Sequence, residues 1–153
     1  MSEVLIPLGP ADAGEMQALH APLFDSPWTV EGIADQLGGP GVGALGLGAA
    51  ALDGFVLFRR AADESEILII AVSPSARRRG LGRRLMDGAL RAVAAAGAES
   101  MFLEVAVDNA PALALYASLG FEEIARRPRY YHRRGGLRVD ALLLRRSLAS
   151  AAA

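Results

Sequence analysis

The spacing of apolar residues changes period several times along the chain, and each change marks an element. Val4 to Leu8 is a short apolar run containing Pro7, which cannot donate to a ladder, so it predicts an edge strand. From Ala11 to Leu23, Met16, Leu19 and Leu23 recur at three and four and predict a helix. Pro22, Ser26 and Pro27 break it before a second short helix from about Thr29 to Leu37, which ends at Gly38-Gly39-Pro40-Gly41. Val42 to Leu47 and Leu52 to Phe58 read as paired strands, with the turn either near Gly48 to Ala50 or at Asp53-Gly54. After a polar connection from Ala61 to Ser65, the run Ile67 to Val72 predicts a strand covered on both faces. Leu81, Leu85, Ala89, Leu90 and Val93 form one stripe of a helix that reaches about Ala96 and is closed by Gly97.

Met101 to Val107 predicts another strand. Asp108-Asn109-Ala110-Pro111 opens a short helix, for which Gly120 is the C-terminal cap. Phe121 to Arg126 and Val139 to Arg145 predict a last strand pair joined by an Arg-rich loop. Ala149 to Ala153 is expected to fray. The order is strand, two helices, three strands, helix, strand, helix, two strands, an α/β (α+β) chain without an internal repeat. At 153 residues it is expected to form a single domain over 1–148.

Composition narrows the chemistry. With 52% hydrophobic and 22% charged residues, the chain is that of a packed globular protein. The 16 basic residues, all Arg, nearly balance 17 acidic ones, so no global field draws it to nucleic acid or an anionic membrane. It has no cysteine and two distant histidines, which argues against disulfides, thiolate zinc sites and a cysteine nucleophile; no metal is expected. Apolar runs fall far short of the roughly 20 residues of a spanning helix, and Met1-Ser2-Glu3-Val4 does not begin a secretory signal, so a cytoplasmic location is the default expectation.

One segment defies helix electrostatics. Arg77, Arg78, Arg79, Arg83 and Arg84 surround Gly80-Leu81-Gly82 where the long helix begins, although a helix N-terminus favours acids. Glycines there let backbone N–H groups approach a phosphate, so the segment reads as a pyrophosphate cradle; the bland alternative is a solvated basic helix start. The spacing fits neither the Gly-x-x-x-x-Gly-Lys-[Ser/Thr] loop nor a full Gly-x-Gly-x-x-Gly.

Arg77-Arg78-Arg79-Gly80-Leu81-Gly82 resembles the Arg/Gln-x-x-Gly-x-Gly/Ala segment of the GCN5-related N-acetyltransferase (GNAT) superfamily, and the order of elements is similar along nearly the whole chain. Ile70-Ala71-Val72-Ser73-Pro74, Leu103-Glu104-Val105 and Asn109 to Phe121 look like the RimI branch, as do Pro27-Trp28, Arg129-Tyr130-Tyr131 and Asp140-Ala141. The resemblance implies a mixed, mostly antiparallel sheet of six to seven strands flanked by about four helices. It implies acetyl-coenzyme A as cosubstrate and a protein N-terminal α-amine as acceptor, in that branch the N-terminal alanine of a small-subunit ribosomal protein.

The resemblance also assigns roles. Arg77, Arg78, Arg79, Gly80, Leu81, Gly82 and Arg83 would meet the pyrophosphate. Ile70, Ala71 and Val72, on a strand that splays from its neighbour, would hold pantetheine and polarise the acetyl carbonyl. Asn109 would bond the pantetheine arm or simply cap its helix. Glu104 corresponds to the proton acceptor; read without the family, it is a charge on a solvated strand face, with Phe102 and Ala106 and opposite Leu103 and Val105. Tyr116 corresponds to the proton donor; on spacing alone it is a core aromatic. Trp28 either packs under the substrate loop or binds substrate, and Tyr130 and Tyr131 would flank an incoming peptide.

An α-amine, with a pKa of about 7.7–8.0, needs far less help to become neutral than a lysine at about 10.4. Ala106, His132 and Val139 depart from the branch's usual Arg, Pro and acid, all near the expected peptide groove, and leave acceptor identity open. The Arg-rich segment from Arg126 to Arg138 reads as a solvated hairpin rather than a nucleic-acid site. Acetylation of a small-molecule amine and a noncatalytic domain binding coenzyme A or RNA are the competing readings.

Overall fold

The computed structural model describes residues 4–77 and 79–148; Arg78 and the expected frayed tail, 149–153, lie outside the described residues. Seven strands form one sheet in the order β1-β2-β3-β4-β5-β7-β6. They are β1 (Ile6–Leu8), β2 (Val42–Leu47), β3 (Gly54–Ala61), β4 (Glu64–Val72), β5 (Ser100–Ala106), β6 (Glu122–His132) and β7 (Arg138–Ser147). The α-helices are α1 (Ala13–His20), α2 (Val30–Leu37), α3 (Leu81–Ala95) and α4 (Ala110–Ser118). No helix among the described residues is long and apolar enough to cross a membrane.

Two apolar layers sandwich the sheet. Leu85, Met86, Ala89 and Val93 of α3 and Tyr116 of α4 pack with Val56, Met101, Leu103 and Val105 on one face. Met16 of α1 and Ile33 of α2 pack with Phe55, Leu57, Ile69 and Ala71 on the other. The β4 run is covered from both sides: Ile67, Ile70 and Val72 enter the first layer and Leu68, Ile69 and Ala71 the second, the alternation slipping at Leu68, where the β3–β4 register shifts. The β2–β3 connection is residues 48–53, a longer loop that includes the earlier expected turn and reaches Asp53, so β3 begins at Gly54 rather than Leu52; β1 is an edge strand paired with β2.

Two local expectations change. The connection before the β4 run is a tight hairpin at Ala62 and Asp63, because β3 and β4 extend their pairing to Ala61↔Glu64. The Arg-rich loop is mostly strand: β6 continues through His132, leaving 133–137 to turn. An edge strand exposed on nearly every residue needs no apolar alternation, so the pattern that reveals buried strands is absent here. Around Pro128 the ladder breaks, with a register shift between Arg127 and Tyr131 and Arg129 at φ 54°.

The feature that positions the site is a split in the sheet. All strand pairs are antiparallel except β4 with β5, which are parallel and joined only through Glu64↔Ser100, Ser65↔Met101 and Glu66↔Phe102. Beyond this base, tied by the buried Ser65 hydroxyl donating to the Ser100 carbonyl at 2.8 Å, Ile67–Val72 pairs with β3 and Leu103–Ala106 with β7. The facing edges of β4 and β5 therefore keep backbone groups outside the ladder, as the splay expected on resemblance requires.

Candidate active site

Helix α3 begins beyond the end of β4. Gly80 is its N-cap at φ 74°, a left-handed conformation that glycine adopts without a Cβ penalty, and no side chain caps the helix. The first-turn N–H groups consequently have no intrahelical acceptor. A cleft of about 370 Å³ opens here, lined by Val72, Ala76, Arg77, Gly80, Leu81, Gly82, Arg83, Pro111 and Leu115. A Cβ on Gly82 would stand 3.3 Å from Leu115 Cδ2, so a side chain at this position intrudes between α3 and α4.

The arginines divide. Arg77 is exposed at the cleft, Arg79 Nη2 lies 3.6 Å from Asp53 Oδ2, and Arg83 reaches across to the Ser118 hydroxyl of α4. Arg83 thus braces the far wall, a task its sequence context does not announce. Asn109 Oδ1 accepts from the Ala112 N–H at 3.3 Å, which makes it the N-cap of α4.

Glu104 and Tyr116, the expected proton acceptor and donor, come from the two sides of the sheet near its split. Glu104 is two residues past the last β4–β5 pair and projects away from the Leu103 and Val105 layer, whereas Tyr116 comes from α4 within that layer. An intact sheet would separate such groups. Here Tyr131 of β6 interacts electrostatically with both. Glu104 Oε2 is buried and has no hydrogen-bond donor among the described residues; Arg127 Nε stands 3.1 Å away, off the line a hydrogen bond needs. The Arg127 charge compensates this oxygen without using its hydrogen-bonding direction, which stays open to an N–H or a water.

Tyr116 is buried against Phe121, ring centroids 5.9 Å apart. Burial, and secondarily the Tyr131 phenol, push its pKa up to about 12. Tyr131 is raised too, first by burial and then by the Glu104 carboxylate and Tyr130, with Arg133 and Arg127 opposing. A raised phenol binds its proton in the folded chain at pH values where the unfolded chain has lost it. Stability attributable to Tyr116 is therefore intact below pH 10 and declines between about pH 10 and 12, by up to about 1.4 kcal/mol per pH unit. Urea midpoints measured from pH 8 to 11 should fall more shallowly in Tyr116→Phe than in the wild type; equal slopes refute the assignment.

The residues expected to border the acceptor come from two segments. Trp28 packs against the α1–α2 layer, and its backbone N–H donates to His20 Nε2 at 3.0 Å. His20 is buried, with Nδ1 3.1 Å from the Gln17 carbonyl, so Nδ1 carries the proton. Its place four residues after Met16 on one helix face was the available signal. Tyr130 and Tyr131 stack edge to face at 5.2 Å, and Arg127 lies 4.6 Å over the Tyr130 ring. The arginine segment is not simply solvated: Arg126 pairs with Asp140, Arg127 with Glu104, and Arg133 with Asp25 and Asp108. Arg133 holds the Asp108 carboxyl below its ordinary range, chiefly by hydrogen bonding. No local pattern reveals pairs so distant in sequence.

The fold is thus a mixed sheet split at its one parallel strand pair, with a helix start and a cleft at the split. The chain matches the acetyltransferase (GNAT) family over residues 15–121 and belongs to that family. It is 39% identical over 146 residues to the uncharacterized protein ML0378 of Mycobacterium leprae, covering 91% of this chain but 39% of that protein. It is also 39% identical over 145 residues to the N-alpha-acetyltransferase RimI of Mycobacterium tuberculosis, covering 89% and 87% of the two chains. The crystal structure of the ribosomal-protein-S18-alanine N-acetyltransferase from Escherichia coli superposes with a TM-score of 0.90 at 28% identity, covering 97% of this chain and 95% of that one. The sequence match to the Escherichia coli (strain K12) enzyme spans 60% of its length, so the first two curated relatives are each matched over less than two thirds.

Proposed function

We propose that the protein transfers an acetyl group from acetyl-coenzyme A to the N-terminal α-amine of a protein, by direct attack within a ternary complex. The observation that carries this reading is the parting of β4 from β5 beyond Glu66↔Phe102, which leaves free backbone edges with Glu104 on one of them and the α3 cleft at the end of the other. The similarity to enzymes named for ribosomal protein S18 alanine supports an N-terminal alanine of a small-subunit ribosomal protein as acceptor, which makes the reaction cytoplasmic.

Acetyl-coenzyme A supplies the acyl thioester. The first-turn N–H groups of α3 and Arg77 are suited to its pyrophosphate, and the free edge of Ile70, Ala71 and Val72 to its pantetheine amides. Glu104 accepts the proton that the amine loses as nitrogen bonds to the acyl carbon, directly or through one water. Tyr116 delivers its proton to sulfur as the carbon–sulfur bond breaks. A phenol near 12 is a reluctant acid, but the dry surroundings that raise it raise a neighbouring thiol as well, so the relevant gap is closer to the ordinary one of about 1.5 units between phenol and thiol. Tyr130 and Tyr131 flank the acceptor chain.

Coenzyme A release should be detected with an alanine-starting peptide and be far slower with amino sugars or polyamines. Turnover of small amines alone would replace the peptide reading, and no turnover with any amine would leave a binding domain. Calorimetry should register acetyl-coenzyme A binding to the wild type and lose it, by at least tenfold in Kd, in Gly82→Phe, whose ring fills the cleft. Unchanged affinity in that variant would remove the cofactor from this cleft.

A further inference from the structure

Arg133 ties together three segments that are far apart in the chain. Its Nη1 lies 3.2 Å from Asp25 Oδ2, in the segment between α1 and α2. Its Nη2 and Nε donate to the two oxygens of Asp108, at 2.9 and 3.2 Å, just past β5. Its guanidinium is 5.6 Å from the centre of the Tyr131 ring, and its own N–H donates to the Leu137 carbonyl at 2.7 Å across the β6–β7 turn. One planar cation thereby fastens three segments that are 25 and 108 residues apart.

These segments carry or adjoin the residues assigned above to the reaction and to the acceptor. Asp25 precedes Trp28, Asp108 follows the Glu104 strand, and Tyr131 is coupled to both Glu104 and Tyr116. The contacts are partly exposed, with side-chain exposures of 28% for Arg133, 48% for Asp25 and 46% for Asp108. Exposed ion pairs add little to global stability. A bidentate guanidinium–carboxylate pair nevertheless fixes direction as well as distance, and lysine cannot reproduce that fork.

We infer that Arg133 is a positioning residue that assembles the acceptor groove, holding the α1–α2 segment, the end of β5 and the β6–β7 turn in register for a polypeptide acceptor. This rests on the peptide-acetylating reading above. The α3 cleft shares no residue with the clasp, so a change at Arg133 falls mainly on the acceptor. It also separates acceptors, since a small amine that meets only the reacting centre does not need the groove walls.

The test is steady-state kinetics with an alanine-starting peptide and with a small primary amine, on Arg133→Ala, Arg133→Lys, Asp25→Asn and the Arg133→Ala/Asp25→Asn double variant. Arg133→Ala should raise KM for the peptide roughly five- to tenfold, the size of a lost charge-assisted contact, with kcat, acetyl-coenzyme A affinity and small-amine KM within about twofold. Arg133→Lys should recover part of the loss. The double variant should be no worse than Arg133→Ala, because both changes open the same contact. An unchanged peptide KM, a parallel rise for both amines or additive effects in the double variant would overturn the inference.

Amide hydrogen exchange supplies a readout that needs no turnover. Residues 23–28 and 133–137 should exchange faster in Arg133→Ala while the melting temperature stays within a few degrees. If the wild type acetylates no amine, the acetyl-transfer reading and the proposed kinetic role fail together, whereas the exchange data still decide whether the clasp exists. If wild-type turnover is normal and exchange is unaltered, the clasp alone fails.

Discussion

Glu104→Gln is expected to lower kcat for an alanine-starting peptide by about two to four orders of magnitude, the range that general-base groups contribute. Glutamine keeps the shape of the side chain but cannot accept a proton at neutral pH. The loss should appear in kcat with acetyl-coenzyme A affinity nearly unchanged, because Glu104 projects beside the split and does not line the α3 cleft. The fold should tolerate the change. The pair with Arg127 is substantially exposed, at 57% for the arginine side chain, so little global stability depends on it. Single-turnover acetyl transfer, followed by mass spectrometry of the peptide, measures this directly. A kcat within threefold of the wild type would remove Glu104 from the reaction and leave the α-amine's own deprotonation as sufficient.

The second large effect concerns folding. Phe55 has no solvent exposure and fills the layer between α1, α2 and the sheet, touching a cluster that includes Met16, Ile33, Leu57 and Ile69. Phe55→Ala removes most of a buried aromatic and leaves a cavity in a layer held by two short helices, so unfolding free energy should drop by about 3–5 kcal/mol. The urea midpoint should shift with an unchanged m-value. The ring also meets His20 edge-on at a centroid distance of 6.2 Å, and His20 holds the Trp28 backbone. The variant should therefore weaken the acceptor side of the protein before the cofactor cleft, which belongs to the opposite layer. A loss below about 1 kcal/mol would mean that α1 and α2 collapse into the space.

Much of this architecture is legible from residue spacing. The Ile67–Val72 run, the α3 stripe ending at Gly97 and the Asn109 and Gly120 boundaries of α4 follow from local rules, since each depends on neighbours within one or two turns. The Gly80-Leu81-Gly82 segment is likewise legible, because a misplaced cluster of cations at a helix start is an anomaly in the sequence itself. The split is not. Both β4 and β5 read as ordinary strands, and only their pairing to different neighbours reveals where they part. Nor is the continuation of β6: Arg126, Arg127, Pro128 and Arg129 have the composition of a loop, and the strand they form has no buried face to betray it. The Arg133 contacts depend on the assembled fold and have no local signature.

Both margins of the sheet carry a proline, Pro7 at one end and Pro128 at the other, and the second sits where the ladder to β7 is interrupted. A foreign strand approaching either border meets a missing N–H, and at β6 also a kinked backbone beside guanidinium groups. Such borders resist edge-to-edge addition, the usual route by which a wide, mostly antiparallel sheet recruits copies of itself into aggregates. The irregular stretch that hides β6 from pattern reading thus serves solubility in a crowded cell.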